Sequence, residues 1–301
     1  MFTLRHGSKL LLAGSFSLLS ACGGSELPQT FTANTDQELE QMLPMLRPGD
    51  LITRKGTALR IPEEGQGLYM EILYTNGHSE EIQVQTGTDG KVALVHGTPP
   101  VQSMDVHALG ACNESAYSTS GNKWTQSLRW YFNSGTTPAE LTPVQAEDAL
   151  RAAANNITMA HNDCGLVDDI SATNQYMGRT TRIASGCDGT TDGFNVVGFG
   201  DLATGTLAVT CNWFSNKSIV ESDLRINKVD HNWTVAAEAP SCKGQFGLEA
   251  VMTHEFGHAF GLGHVSEADH PSLTMSTAIG ACDGSAKTLG LGDILGLRSL
   301  Y

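Results

Sequence analysis

The sequence is short of positive charge. It carries 18 lysine and arginine residues against 32 aspartate and glutamate residues, which gives a formal net charge of -14 over 301 residues. Because a phosphate backbone is bound through a surplus of basic charge, this balance excludes nucleic acid as the expected partner. Charged residues make up only 17% of the chain and hydrophobic residues 40%, which is too little charge and too much apolar material for a disordered protein. We therefore expect one large or two modest folded domains.

An apolar run long enough to cross a bilayer is also missing. The run at 10–19 has only about ten residues and follows two basic residues, which is typical of a signal peptide. It leads into the sequence LSAC at 19–22, which resembles the bacterial lipoprotein box, and then into a flexible GGS tether. We expect a signal peptide at 1–21 and lipidation of Cys22, which would anchor an exported protein to the cell envelope. Because aspartate does not follow Cys22, the outer membrane or cell surface is favoured; an ordinary secretory signal is the alternative.

Cysteines are too few for a small disulfide-built scaffold, but their number is informative. The chain has seven, and setting Cys22 aside leaves an even number in a protein that we expect to be exported. An oxidising compartment then predicts three disulfides. The six remaining cysteines are Cys112, Cys164, Cys187, Cys211, Cys242 and Cys282. Sequential pairing is one of about fifteen possible pairings, and the sequence alone does not choose among them.

The pattern of the chain changes near residue 110. Residues 22–110 combine the tether with a strand-like stretch, which predicts a small, β-rich N-terminal domain or pro-region without recognisable chemistry. Its clearest element is a hairpin, in which 68–74 and 81–85 alternate in hydrophobicity across the turn Asn76-Gly77. Thr98-Pro99-Pro100 has the composition of a linker to the rest of the chain.

Residues 111–301 combine several strands with few helices. Helices are predicted at 143–160, where Thr142 and Pro143 form a start signal, and at 248–260 and 291–300. Strands are predicted at 128–132, 167–171, 195–199, 205–213 and 219–227. One early helix, two late helices and strands between them favour an α+β fold.

The chemistry of the sequence is concentrated at 254–264, where it is HEFGHAFGLGH. His254 and His258 are four residues apart, so on a helix they lie on one face, as in half of a zinc site. Gly261 permits the positive φ of a sharp turn, and that turn lets His264 return as a third nitrogen ligand. Three protein ligands leave a fourth position open, which is the arrangement of catalytic zinc. Glu255 lies beside the metal without being needed as a ligand, where it can act as a general base.

This motif resembles the signature HExxHxxGxxH of the metzincin clan of zinc metallopeptidases, and in particular the matrixin family. The closing sequence 291–301, with an Asp-Ile pair and a terminal Leu-Tyr, is similar to the last helix of that family. The resemblance implies a metzincin-type domain with a mixed twisted sheet, an active-site helix and a C-terminal helix. It also implies that Met275 forms the methionine turn, a hydrophobic base beneath the metal, although Ser276-Thr277 follows where the family has Tyr-Pro.

The resemblance further implies a zinc-dependent endopeptidase with one catalytic zinc ion and Glu255 as its general base. Its substrates would be extracellular or envelope proteins and peptides, and an extended substrate would add as a strand along an exposed sheet edge at 205–210. We expect a monomer that contacts the membrane through its lipid anchor. A catalytically silent surface binding lipoprotein on the same scaffold is the alternative, although such a protein would not need Glu255.

Two further features leave alternatives open. Asp188, Asp192 and Asp201 lie among glycines and could hold calcium, while a solvated acidic loop is the favoured interpretation. Matrixins are often kept latent by a pro-segment cysteine; Cys112 could serve, but its flanking residues do not match the family's switch motif, so a disulfide is favoured. Asp50 could cap the zinc instead, although a plain turn is the simpler interpretation.

Overall fold

The computed structural model describes residues 27–101 and 110–301. The signal peptide and Cys22 lie outside the described residues. The helices are α1 (Asp36–Met42), α2 (Pro143–Thr158), α3 (Leu248–Ala259) and α4 (Leu291–Leu300). The strands are β1 (Thr30–Thr32), β2 (Leu51–Arg54), β3 (Thr57–Arg60), β4 (Gly67–Tyr74), β5 (Ser79–Thr86), β6 (Val92–Leu94), β7 (Thr98–Val101), β8 (Tyr117–Thr119), β9 (Leu128–Phe132), β10 (Asn174–Arg179), β11 (Asn195–Gly200), β12 (Thr206–Ser215), β13 (Ser218–Asn227), β14 (Trp233–Thr234), β15 (Phe246–Gly247) and β16 (Leu262–Gly263).

Eight of these strands form a central mixed sheet, in the order β10-β9-β11-β13-β12-β4-β5-β6. The strands β10, β9, β11 and β13 pair in parallel, whereas β12 is antiparallel to both of its neighbours. β12 is a largely apolar run that is buried along nearly its whole length, as expected of a strand covered on both faces. The mixed sheet, with helix α3 packed against it and the closing helix α4, confirms the predicted α+β fold.

The N-terminal hairpin belongs to this same sheet. β4 and β5 form the predicted hairpin, and Gly77 occupies its turn at a φ of 76°. β4 then pairs with β12 in a register that sets Ile72 opposite Val209 and Glu71 opposite Thr210. The expectation of an exposed edge at 205–210 is therefore wrong. The hydrophobic pattern of a strand shows that it is paired or buried, but not which distant strand covers its edge.

The two faces of the sheet are covered by different parts of the chain. On one face α2 and α3 pack over a core that includes Trp130 and Phe256. A second core joins the sheet to the N-terminal elements and includes Ile52. Because side chains alternate along a strand, β4 contributes to both: Leu68, Met70 and Ile72 enter the second core, whereas Tyr69, Glu71 and Leu73 face the side of α3.

Local signals placed the helices well and two extended segments poorly. Thr142 caps α2 through a capping box with Gln145, as the start signal predicted. The strand predicted at 167–171 has no regular structure, and β10 follows it instead, because β10 is a partly exposed edge strand without the apolar pattern of its neighbours. The segment Thr98-Pro99-Pro100 is not a linker but opens β7, an edge strand, where prolines are tolerated.

Six cysteines form three disulfides, as predicted. They pair sequentially, as Cys112–Cys164, Cys187–Cys211 and Cys242–Cys282. Since disulfides persist in oxidising compartments, they indicate an exported or extracellular protein. Among the described residues, none of the helices combines the length and the hydrophobicity that a membrane span requires.

Candidate metal centre

Helix α3 carries the first two histidines into the protein interior. His254 and His258 lie one turn apart, and both are fully buried. Beyond the helix, Gly261 turns the chain at a φ of 92°, and a Cβ there would lie 2.1 Å from the carbonyl oxygen of Asn122. Only glycine fits this turn, because it combines a positive φ with a close backbone approach. The strand β16 then pairs with β8 and leads His264 back to the helix.

The three imidazole rings meet at their Nε2 atoms. These atoms are 2.9 Å apart between His254 and His264, and 3.0 Å apart between His258 and each of the other two. A tetrahedral zinc ion with bonds of about 2.0–2.1 Å holds its ligand atoms roughly 3.3 Å apart. The triangle of nitrogens therefore has nearly the size that a zinc ion requires.

The partner of the outer nitrogen, Nδ1, determines which nitrogen of each ring carries the proton. The Nδ1 atoms face the carbonyl oxygen of Thr274 at 2.7 Å from His254, the carbonyl oxygen of Leu262 at 3.0 Å from His258, and Ser79 Oγ at 2.9 Å and Glu81 Oε1 at 3.1 Å from His264. With protons donated outward, the three Nε2 lone pairs converge on one point, which is favourable only around a cation. Burial also lowers the pKa of His254 to about 3, so its ring stays in the neutral form that binds metal.

Glu71 of strand β4, which no sequence motif predicts, completes the cluster. Its Oε1 atom lies 3.4 Å from His264 Nε2 and 4.0 Å from His258 Nε2, and the side chain is fully buried. One ligand atom from each of Glu71 and the three histidines falls within 4.8 Å of the others. Among the described residues, the carboxyl group of Glu255 is the one hydrogen-bonding neighbour of Glu71, so a bound cation would be a natural partner for its oxygens. The available signal was an acidic residue within the apolar strand sequence LYMEILY.

Glu255 lies next to this cluster and is fully buried. The Thr210 hydroxyl donates a hydrogen bond to its Oε2 atom, and the carboxyl group of Glu71 is its other hydrogen-bonding neighbour in the part of the chain that the structure describes. Burial raises the pKa of Glu255 to about 7. Burial and the nearby Glu255 charge also raise the pKa of Glu71 well above its usual range. Two carboxyl groups in one apolar site cannot both be charged at low cost without a cation, so they are poised to share a proton.

Met275 lies beneath helix α3. A Cβ at Gly257, between the two helical histidines, would be 2.4 Å from Met275 Sδ. The backbone around Met275 is held by the buried carboxylate of Asp293 in α4, which accepts hydrogen bonds from the amides of Thr274, Met275 and Gly290. The Asp-Ile pair noted in the closing sequence thus connects the last helix to the floor of the histidine cluster.

The other sequence-derived candidates lie outside the cluster. Cys112 is in a disulfide with Cys164, so it is not a free thiol that could reach a metal. Asp50 accepts hydrogen bonds from the backbone amides of Gln29 and Arg47, which is the turn role that the sequence favoured. Calcium is not supported: among the described residues, the histidine and Glu71 group is the cluster with metal-ligand spacing, and the candidate aspartates Asp188, Asp192 and Asp201 are not part of it.

Comparison with known families agrees with this geometry. Residues 200–301 match the family model Peptidase_M10, matrixin. No curated protein sequence matches the chain. The matched stretch contains all three histidines, Glu255 and Met275, whereas Glu71 lies far outside it. Residues 200–301, which carry the histidine cluster that resembles a zinc site and the closing helix, are therefore similar to the matrixin family.

Proposed function

We propose that the chain is a zinc-dependent endopeptidase. The observation that carries the proposal is the convergence of three histidine lone pairs beside the buried Glu255, within the stretch that matches the matrixin family. His254, His258 and His264 would hold the ion, and zinc supplies Lewis-acid polarisation when it is bound. The substrates would be extracellular or envelope proteins and peptides.

Glu255 is the residue that we expect to move protons. In peptide hydrolysis a water oxygen attacks the carbonyl carbon, the water loses a proton, and the leaving nitrogen gains one as the carbon–nitrogen bond breaks. The Glu255 carboxylate accepts the first proton and then donates it to the leaving amine. The Thr210 hydroxyl would keep the carboxyl group oriented.

Export and anchoring belong to the same proposal. The three disulfides support an oxidising compartment, and lipidation of Cys22 would hold the enzyme at the envelope. In the domain organisation that we propose, 1–21 is the signal peptide, 22–110 the tether and N-terminal region, and 111–301 the peptidase domain. Mass spectrometry of the mature N-terminus would test the anchor, since an unmodified N-terminus beyond residue 22 would contradict it.

One observation favours the second candidate function, a catalytically silent binding lipoprotein. With Glu71 beside the three histidines, four ligand atoms surround the metal position, and closed sites of this kind are typical of structural zinc. Glu255 argues against this interpretation, because a structural site needs no buried general base.

The test is peptide cleavage by the chain from residue 23 onward. Because β4 pairs with β12, a recognition site for a specific protease is inserted at 102–109 and cut before the assay, so that the N-terminal segment can separate. Zinc content is measured in parallel. Glu255→Gln should keep its zinc and lose about 10²–10⁴-fold in turnover, whereas the control Glu249→Gln on the same helix should change little. Chelation should abolish cleavage. Undiminished cleavage by Glu255→Gln, or none by the zinc-loaded nicked chain, would contradict the proposal.

A further inference from the structure

The hairpin β4–β5 covers the histidine cluster from the side where a substrate strand would bind. β4 pairs with β12 from Tyr74 opposite Thr206 to Gly67 opposite Phe214. The backbone hydrogen bonds that β12 could offer to an extended peptide are therefore already used within the chain. At the far end, the carbonyl oxygen of Gly77 in the hairpin turn accepts a hydrogen bond from Thr277, two residues after Met275. The hairpin therefore contacts β12 on one side of the site and the segment that follows Met275 on the other.

The hairpin also holds the histidines directly. Tyr69 donates its hydroxyl proton to Glu81 and lies 3.1 Å from His258 Nδ1. Glu81 accepts a hydrogen bond of 2.8 Å from the backbone amide of His264, and Ser79 Oγ lies 2.9 Å from Nδ1 of the His264 ring. Three hairpin side chains therefore set the outer contacts of two of the three zinc-binding rings.

Glu71 is the centre of this arrangement. A fully buried carboxylate whose only hydrogen-bonding neighbour among the described residues is another carboxyl group, that of Glu255, destabilises a fold unless a cation balances its charge. The other side chains of β4 are aliphatic or aromatic, so apolar packing of this strand does not explain the carboxyl group. Its position next to His264 Nε2 and His258 Nε2 gives it a use, since it can supply the fourth ligand of a tetrahedral zinc site.

Covalent connection to the rest of the chain is sparse. All three disulfides join cysteines from residue 112 onward, so none ties the described segment 27–101 to the larger part of the protein. A single cut between 101 and 110 would leave that segment held by strand pairing and packing alone.

We propose that the hairpin β4–β5 is an internal inhibitor of this site, in which Glu71 serves as the fourth zinc ligand and β4 occupies the substrate strand position. The inference rests on the proposed peptidase function and concerns its regulation. Activation requires the hairpin to leave β12, and the carboxyl group of Glu71 leaves the metal with it. Cleavage between 101 and 110 is the event that permits this.

The first arm tests the ligand by spectroscopy in the full chain from residue 23, with cobalt(II) in place of zinc. Glu71→Ala should change the visible absorption bands of the cobalt ion, and added acetate should restore the parent spectrum by supplying the missing carboxylate. Glu40→Gln, a change of charge on α1 away from the site, is the matched control and should leave the spectrum unchanged. An unaltered spectrum in folded Glu71→Ala would overturn the role of Glu71.

The second arm tests the cover. A peptide hydroxamate, which needs both the metal and a free strand position, is titrated by calorimetry against the chain before and after nicking at an inserted site at 102–109. Nicking should tighten its binding by at least about 100-fold, because the competent state is rare while the hairpin is tethered. Equal affinity before and after nicking would overturn the inhibitor. Tight hydroxamate binding after nicking without any peptide cleavage would instead uphold the inhibitor and contradict the peptidase function.

Discussion

Gly257 and Met275 fill the same space, one by lacking a side chain and the other by occupying its place. A Cβ at 257 would lie 2.4 Å from Met275 Sδ, closer than real packing permits, and 3.1 Å from its Cε, which is a tight contact. Met275 is 2% exposed, so it has little freedom to move aside. The glycine between the two helical histidines is therefore required by the methionine beneath them.

This relationship predicts that the effect of Gly257→Ala on the free energy of unfolding changes sign when Met275 is removed. Gly257→Ala should destabilise the protein by about 1–3 kcal/mol, because the added methyl group overpacks a closed site. In a Met275→Ala background the same change should be neutral or stabilising by up to about 1 kcal/mol, since alanine is the better helix former. Urea unfolding of the four proteins of the cycle measures this coupling. Additive effects would show that the two positions do not share space.

Asp293 offers a second test of the same floor. Asp293→Ala leaves the amides of Thr274, Met275 and Gly290 without their acceptor, and each buried donor without a partner costs about 1–3 kcal/mol. We expect a loss of at least about 3 kcal/mol in the free energy of unfolding. Asp293→Asn keeps one acceptor oxygen and should lose less. Equal losses in the two variants would mean that the hydrogen bonds are not the cause.

The sequence predicted the three histidines, the glycine turn and the closing helix because each is encoded within a short segment. Helix spacing brings His254 and His258 together, and one tight turn returns His264, so no long-range information is needed. Glu71 could not be found this way, because its contact depends on the pairing of β4 with β12, and a strand pattern does not name its partner. For the same reason the edge at 205–210 was expected to be open. The edge strand β10 was missed because its residues are partly exposed and carry no apolar alternation.

Removal of the metal should lower the thermal stability. Without a cation, the converging lone pairs and the two buried carboxyl groups have no compensating charge. Chelation should therefore lower Tm, and added zinc should restore it in a concentration-dependent way.

The substitution Glu71→Met tests whether the stabilisation by the metal depends on Glu71. In the zinc-loaded chain the change should destabilise, since a ligand is lost. In the zinc-free chain it should be neutral or stabilising by about 1–4 kcal/mol, since a buried polar group is replaced by an apolar one. Differential scanning calorimetry of both forms measures the difference, and the same sign in both would contradict a metal-linked role for Glu71.

The raised pKa of Asp223, a residue outside the histidine cluster, predicts how the stability of the protein depends on pH. Burial raises its pKa to about 8, although the amides of Val196 and Ser185 donate to it. The unfolded value is about 3.9, so the folded state binds the proton more tightly. This contribution is therefore fully present below about pH 4 and is lost as the pH rises through about 8.

Asp223→Asn should remove that slope, since the amide does not titrate. Urea midpoints of the parent and the variant, measured between about pH 4 and pH 8, should diverge, with the parent losing stability relative to the variant as pH rises. Parallel curves would show that the carboxyl group is ionised throughout this range.

The pairing of Ile72 with Val209 also constrains how the molecule is made. These residues lie 137 positions apart (209 minus 72), so the central sheet closes only after most of the chain is available. Contacts of such long sequence separation slow folding, because the entropy of closing the loop is lost before the contact can stabilise the chain. Until β12 is in place, the hairpin exposes an apolar strand with unsatisfied backbone groups, which is the state most prone to aggregate. Refolding of the whole chain should accordingly be slow, and a chain truncated before residue 206 would leave its own N-terminal hairpin without a partner strand.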